Sequence, residues 1–118
     1  MSSSVNRSKI TKGPTVQRKL GCGNIYIAIH TNGNESQAPM VVRAWLGRAG
    51  SCSVCQNEAL TNVISLGLRH GVPVEEFIDE LKGIKCPNPH LGPVKERNLS
   101  CADAIASALE EYLADSKV

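Results

Sequence analysis

Aromatic side chains are scarce in this 118-residue chain: Tyr26, Trp45, Phe77 and Tyr112 are the full set. Any core must therefore be aliphatic, and a row of rings for stacking on single-stranded nucleic acid has nothing to be built from. No stretch approaches the ~18 consecutive apolar residues of a membrane-spanning helix. Acidic residues are missing from the first twenty positions, which carry Arg7, Lys9, Lys12, Arg18 and Lys19. The rest of the chain carries eight basic against eleven acidic residues. A basic tail on a mildly acidic body can touch nucleic acid or an acidic partner. Here the five charges form no dense cluster, so the reading is a solvated tail and not a nucleic-acid arm. The segment MSSSVNRSKITKGPTVQRKL also lacks the apolar stretch of a secretory leader. The expectation is a cytoplasmic protein, in a compartment where disulfides are rare. Five cysteines then read as small buried side chains, metal ligands or redox thiols, and their odd number argues against a complete set of internal disulfides.

What is present suggests one domain with a small core. Residues 1–19 are polar and interrupted by Gly13-Pro14, so they read as a disordered basic tail, with the folded domain spanning 20–118. From Asn24 to His30 the pattern alternates, with Ile25, Ile27 and Ile29 on one face. Met40 to Leu46 alternates again, with Met40, Val42, Ala44 and Leu46 together. The segment TNGNESQAP between them carries the Asn32-Gly33 turn signal, so 24–30 and 40–46 are predicted to pair as an antiparallel hairpin. Three helices are expected after it. The first spans about 53–70 and should bury Cys55, Ala59, Leu60, Val63, Ile64 and Gly67. The second, about 73–82, starts at Pro73, ends before Gly83 and buries Val74, Phe77, Ile78 and Leu81. Residues 84–99 contain three prolines and read as a loop. The third helix, about 101–115, opens with Ser100-x-x-Asp103, a capping pattern, and buries Ile105, Ala108, Leu109, Tyr112 and Leu113. The fold class is α+β, a small antiparallel sheet covered by three helices. Two strands alone make a marginal sheet, so a third strand or a partner subunit is expected.

Four segments carry a family likeness: GCGNIYIAI, LGRAGSCSVCQNEALTNVISLGLRHGV, IKCPNP and LSCADAIASAL. In order and spacing they resemble the TSCPD domain, the C-terminal part of many adenosylcobalamin-dependent ribonucleotide reductases, which also occurs as short stand-alone proteins. The likeness covers about residues 20–113. Leu99 and Ala102 stand where the name-giving motif has Thr and Pro, Ser51 stands for a Gly, and Cys55 is additional. The resemblance implies that Cys22, Cys52, Cys86 and Cys101 are the family's four cysteine positions. With no reductase barrel in the chain, it implies no ribonucleotide reduction.

Each of those four cysteines falls at an element boundary. Four thiolates meeting at one end of the layer would suit a tetrahedral structural Zn(II) site. Their separations of 29, 33 and 14 residues lack the paired C-x-x-C knuckles of common zinc modules. A variant set is Cys52, Cys55, Cys86 and His90. A second reading is thiol redox by Cys52 and Cys55 at a helix start, where the dipole favours a thiolate. A third is that the cysteines are only buried small side chains. Separately, Arg48, Gly50 and Ser51 lead into a helix N-terminus and make a candidate phosphate cradle, which Lys95, Arg97 and Asn98 could join. No nucleophile-and-base set stands out, so a catalyst is not expected. The sequence therefore points first to a non-catalytic, cytoplasmic, homo-oligomeric binder of a nucleotide or nucleotide-derived phosphate. The alternatives are a zinc-stabilised interaction module that partners a ribonucleotide reductase, and a thiol-redox adaptor.

Overall fold

The computed structural model describes residues 13–21, 23–31, 41–46, 52–86, 89, 92 and 98–116, with residues 52, 53, 115 and 116 described as backbone only. Three strands, β1 (Thr15–Leu20), β2 (Gly23–His30) and β3 (Val41–Leu46), precede three helices, α1 (Cys52–Arg69), α2 (Val74–Leu81) and α3 (Cys101–Ser116). The strands form one antiparallel sheet in the order β1-β2-β3. This is the expected α+β class, and the expected third strand is supplied by the chain itself.

That strand corrects the tail boundary. Residues 15–19, expected to be disordered, belong to β1, which pairs with β2 from Thr15↔Ala28 to Leu20↔Gly23. The strand escapes a hydropathy reading because only two of its three inward positions, Val16 and Leu20, are apolar. The third is Arg18, and its guanidinium bonds the Glu111 carboxylate on α3. An inward charge paired at the sheet rim is compatible with a strand, although it breaks the apolar alternation.

The hairpin of β2 and β3 is as expected, with His30 opposite Val41 and Ile25 opposite Leu46. Of the expected turn, 31–39, all but Thr31 lies outside the described residues, as does Met40. Ile25, Ile27, Ile29 and Val42 point into the core. On the opposite face Tyr26 and Trp45 stack with ring centres 6.0 Å apart. Packed against the inner face, α3 contributes Ile105, Ala108 and Leu109, and α2, which packs on α3, adds Val74, Ile78 and Leu81 to the same core. Each fully buried Ile or Leu contributes about 1.5–3 kcal/mol.

The inward face of α1 departs from the pattern reading. Asn57, Thr61, Ile64, Ser65 and Leu68 are buried, whereas Cys55, Ala59 and Val63 are exposed. Of the expected set, Ile64 is buried and Leu60 packs partly against the core. The reason is what the helix covers. It lies along β3, an edge strand whose outer peptide groups need partners. Ser65 supplies them: its hydroxyl oxygen accepts from the Val42 N–H (2.9 Å), and its O–H donates to the Val42 carbonyl (3.0 Å). Gly67 permits a second close approach, because a Cβ there would sit 2.5 Å from Cζ of Phe77.

Candidate functional site

Strand order and hydrogen bonds bring several chain segments to one end of the layer. The β1–β2 hairpin closes there, with Leu20 opposite Gly23. The end of β3 lies beside it, since Leu46 faces Ile25. α1 starts near that end and runs antiparallel to β3, so that Ser65 comes back to Val42. The residues before α3 are tied to the same place. Asn98 is 3% exposed and donates its side-chain N–H to the carbonyl of Lys19 (2.9 Å). Residue 86 joins them through its backbone N–H, which donates to the Leu99 carbonyl (2.9 Å).

The start of α3 is built by its own sequence. The Ser100 hydroxyl accepts the Asp103 N–H (3.0 Å), which satisfies one of the orphan donors of the first turn. The Asp103 carboxylate accepts the Leu99 N–H with one oxygen and the Gly83 N–H with the other, both at 2.9 Å. The capping pattern read from the sequence is thus present, and it does more than cap. It fastens the chain that leaves α2 to the chain that enters α3. Gly83 takes a φ of +87°, the left-handed conformation glycine favours just past a helix end.

Between these anchors lies a groove of about 430 Å³. Its walls are Gln56, Asn57 and Leu60 from α1, Ile84 and Cys86 from the connection, and Ser100, Cys101 and Ala102 from α3. Two of the four expected cysteines, Cys86 and Cys101, therefore line one cavity. The backbone of Cys52 begins α1 one turn before Gln56. The segments of Cys52, Cys86 and Cys101 thus meet at this end, and Cys22 lies outside the described residues. Among the described residues no three His, Cys, Asp or Glu side chains form a metal-sized group. Cys55 is on the exposed side of α1 and does not line this groove.

The phosphate candidates fare differently. Arg48, Gly50, Ser51, Lys95 and Arg97 lie outside the described residues, as does His90. Asn98 faces inward and serves the β1–β2 hairpin, a role no spacing rule announced. Asp103 places a carboxylate at the start of α3, leaving the start of α1 as the better anion position at this end.

The family model described as TSCPD domain matches residues 2–113. No curated protein and no solved structure matches the chain.

Proposed function

The chain belongs to the TSCPD domain family, and from that premise we propose that it is a non-catalytic, zinc-stabilised interaction module. Its functional end on this reading is the groove at the start of α3, where Cys86 and Cys101 lie. The observation that supports this reading is the placement of Cys86 and Cys101 in the walls of one groove, although 14 residues separate them. Thiolates are soft donors, and a set of four suits Zn(II) in a closed structural site. Cys22, Cys52, Cys86 and Cys101 would hold the ion. When bound, it would supply folding free energy by fastening hairpin, helices and connection together. The partner on this reading is another protein, and the family's usual context makes a ribonucleotide reductase the first to try.

A nucleotide or other phosphate ligand is the second reading. The observation that favours it is that α1 and α3 both begin at this end, with residues 47–51 leading into α1. It ranks second because α3's start is already served by Asp103, which leaves Arg48, Gly50 and Ser51 to carry the anion.

Native mass spectrometry of the protein purified without chelator tests both. The zinc reading expects one Zn(II) per chain, lost in Cys86→Ser and Cys101→Ser and kept in Cys55→Ser. Metal-free protein that melts like the purified sample would remove it. Metal loss in Cys55→Ser would instead favour the set with Cys55 and His90. Calorimetric heat with mono-, di- or cyclic nucleotides, weakened about 10- to 100-fold by Arg48→Ala, would promote the phosphate reading.

A further inference from the structure

We propose that the outer face of the sheet binds single-stranded nucleic acid, with Tyr26 and Trp45 as a stacking platform and Lys19 and Arg43 as phosphate contacts. The four aromatic residues are too scattered in the sequence to form a row, but the register of β2 and β3 sets Tyr26 opposite Trp45. Their rings stack with centres 6.0 Å apart and planes 22° apart. Neither ring joins the core. α3 packs on the inner face of the sheet, α2 on α3, and α1 along β3, while Gln17, Lys19, Arg43 and Trp45 are exposed on the outer face. Trp45 is 44% exposed, so ring surface is left for a further planar group. An unstacked base is such a group, and stacking tolerates any sequence because every base has a π-face.

Charge selects the ligand. No outward residue of the three strands is acidic, and Lys19 and Arg43 stand at opposite corners of the ring pair. Lys19 faces Asn24, two residues before Tyr26, and Arg43 faces Ala28, two residues after it. At ~3.4 Å per residue and ~4.8 Å per strand their backbones are about 17 Å apart. The ion pairs among the described residues, Arg18 with Glu111 and Lys82 with Glu110, use neither of them. The acids of α2, Glu75, Glu76, Asp79 and Glu80, belong to a helix that packs on α3, on the other side of the sheet. A free nucleotide brings one ring and one phosphate group, and so reaches one corner. A strand of a few nucleotides brings phosphates to both corners with a base over the rings between them. A lipid surface asks for a wider apolar area than this pair offers. The face stands apart from the groove of Cys86 and Cys101, so neither reading depends on the other.

Trp45 is the single tryptophan of the chain, so its emission reports on this face directly. Short oligothymidylate and oligouridylate, titrated into the full chain at low salt, should quench that emission. The same oligonucleotides carrying fluorescein should gain anisotropy over the same concentrations. Trp45→Ala should weaken binding about 10- to 100-fold by anisotropy, the loss expected of one stacked base. Arg43→Ala and Lys19→Ala should each weaken it and lower the slope of log affinity against log salt by about 0.7, one phosphate contact each. Far-UV spectra should be unchanged, and Arg43→Ala keeps the test usable if Trp45→Ala misfolds. A titration with neither quenching nor a rise in anisotropy overturns the proposal. So does binding that Trp45→Ala leaves intact, which would place the strand elsewhere on the chain. Inorganic polyphosphate that competes as well as the oligonucleotide overturns it too, because charge alone would then be read. Trp45 emission that shifts with protein concentration before any oligonucleotide is added would assign the face to a second copy and overturn it.

Discussion

Asp103 uses both carboxylate oxygens on backbone donors, one from Gly83 and one from Leu99. Asn at this position keeps the shape but turns one acceptor into a donor. Asp103→Asn should therefore cost about 1–3 kcal/mol, because a backbone N–H loses its partner. Ser100→Ala removes the other half of the cap and should cost about 1 kcal/mol. The two changes act on one cap, so the double variant should cost less than their separate effects combined. Urea unfolding measures all three; a midpoint for Asp103→Asn equal to that of wild type would show that the carboxylate does not hold the α2–α3 connection. At this scale the sequence was informative, since S-x-x-D states a local hydrogen bond between residues three apart. The second task of Asp103 was not legible, because Gly83 is twenty residues away and its N–H carries no side-chain signal. Asn98 was hidden for the same reason: its partner, the carbonyl of Lys19, looks alike in every sequence.

α1 shows how an element can be found correctly and oriented wrongly. Its span, from Cys52 to Arg69, agrees with the pattern of its apolar residues to within a residue at either end. Its orientation does not, because apolar residues normally mark the inward face and here the inward face must serve a strand edge. The hydroxyl of Ser65 meets both the N–H and the C=O of Val42, as a neighbouring strand would. Ser65→Ala keeps the volume nearly constant and leaves two buried peptide groups of β3 without that partner. The expected cost is about 1–3 kcal/mol, read from thermal unfolding, with faster amide exchange at Val42 as the local signature. Ser65→Ala that melts with wild type and keeps Val42 protected would mean that α1 is held only by its apolar contacts. α3 makes the contrast. It lies across the face of the sheet and not along an edge, its inward stripe is Ile105, Ala108 and Leu109, and its cap and 3.6-residue period placed it.

On the scale of the whole molecule, the sheet is completed by the segment that looked least structured. β1 follows Pro14, carries Arg18 and Lys19, and offers only Val16 and Leu20 as apolar inward residues. Local pattern weighs composition, whereas a third strand is fixed by what it pairs with: the free edge of β2, Glu111 on α3, and Asn98 at the hairpin. A chain lacking residues 1–20 loses those partners together. It gives up the burial of Val16 and Leu20, worth up to about 1.5–3 kcal/mol for each fully buried side chain. It also bares the edge of β2 beside Ile25 and Ile27, in a domain of a size whose stability is small to begin with. Two strands remain, which is too few for an independent sheet. The truncated protein should therefore show no cooperative urea transition, weak far-UV ellipticity and a tendency to associate through the bared edge. The replacement Arg18→Ala in the full chain is the milder companion. It cuts the tie to Glu111, which is half exposed, and should shift the midpoint by no more than an exposed ion pair does, about 0–1 kcal/mol. A truncated chain that unfolds cooperatively at the urea concentration of the full protein would show that β1 is an ornament on the sheet, and that the domain begins where the hydropathy pattern first placed it, at Leu20.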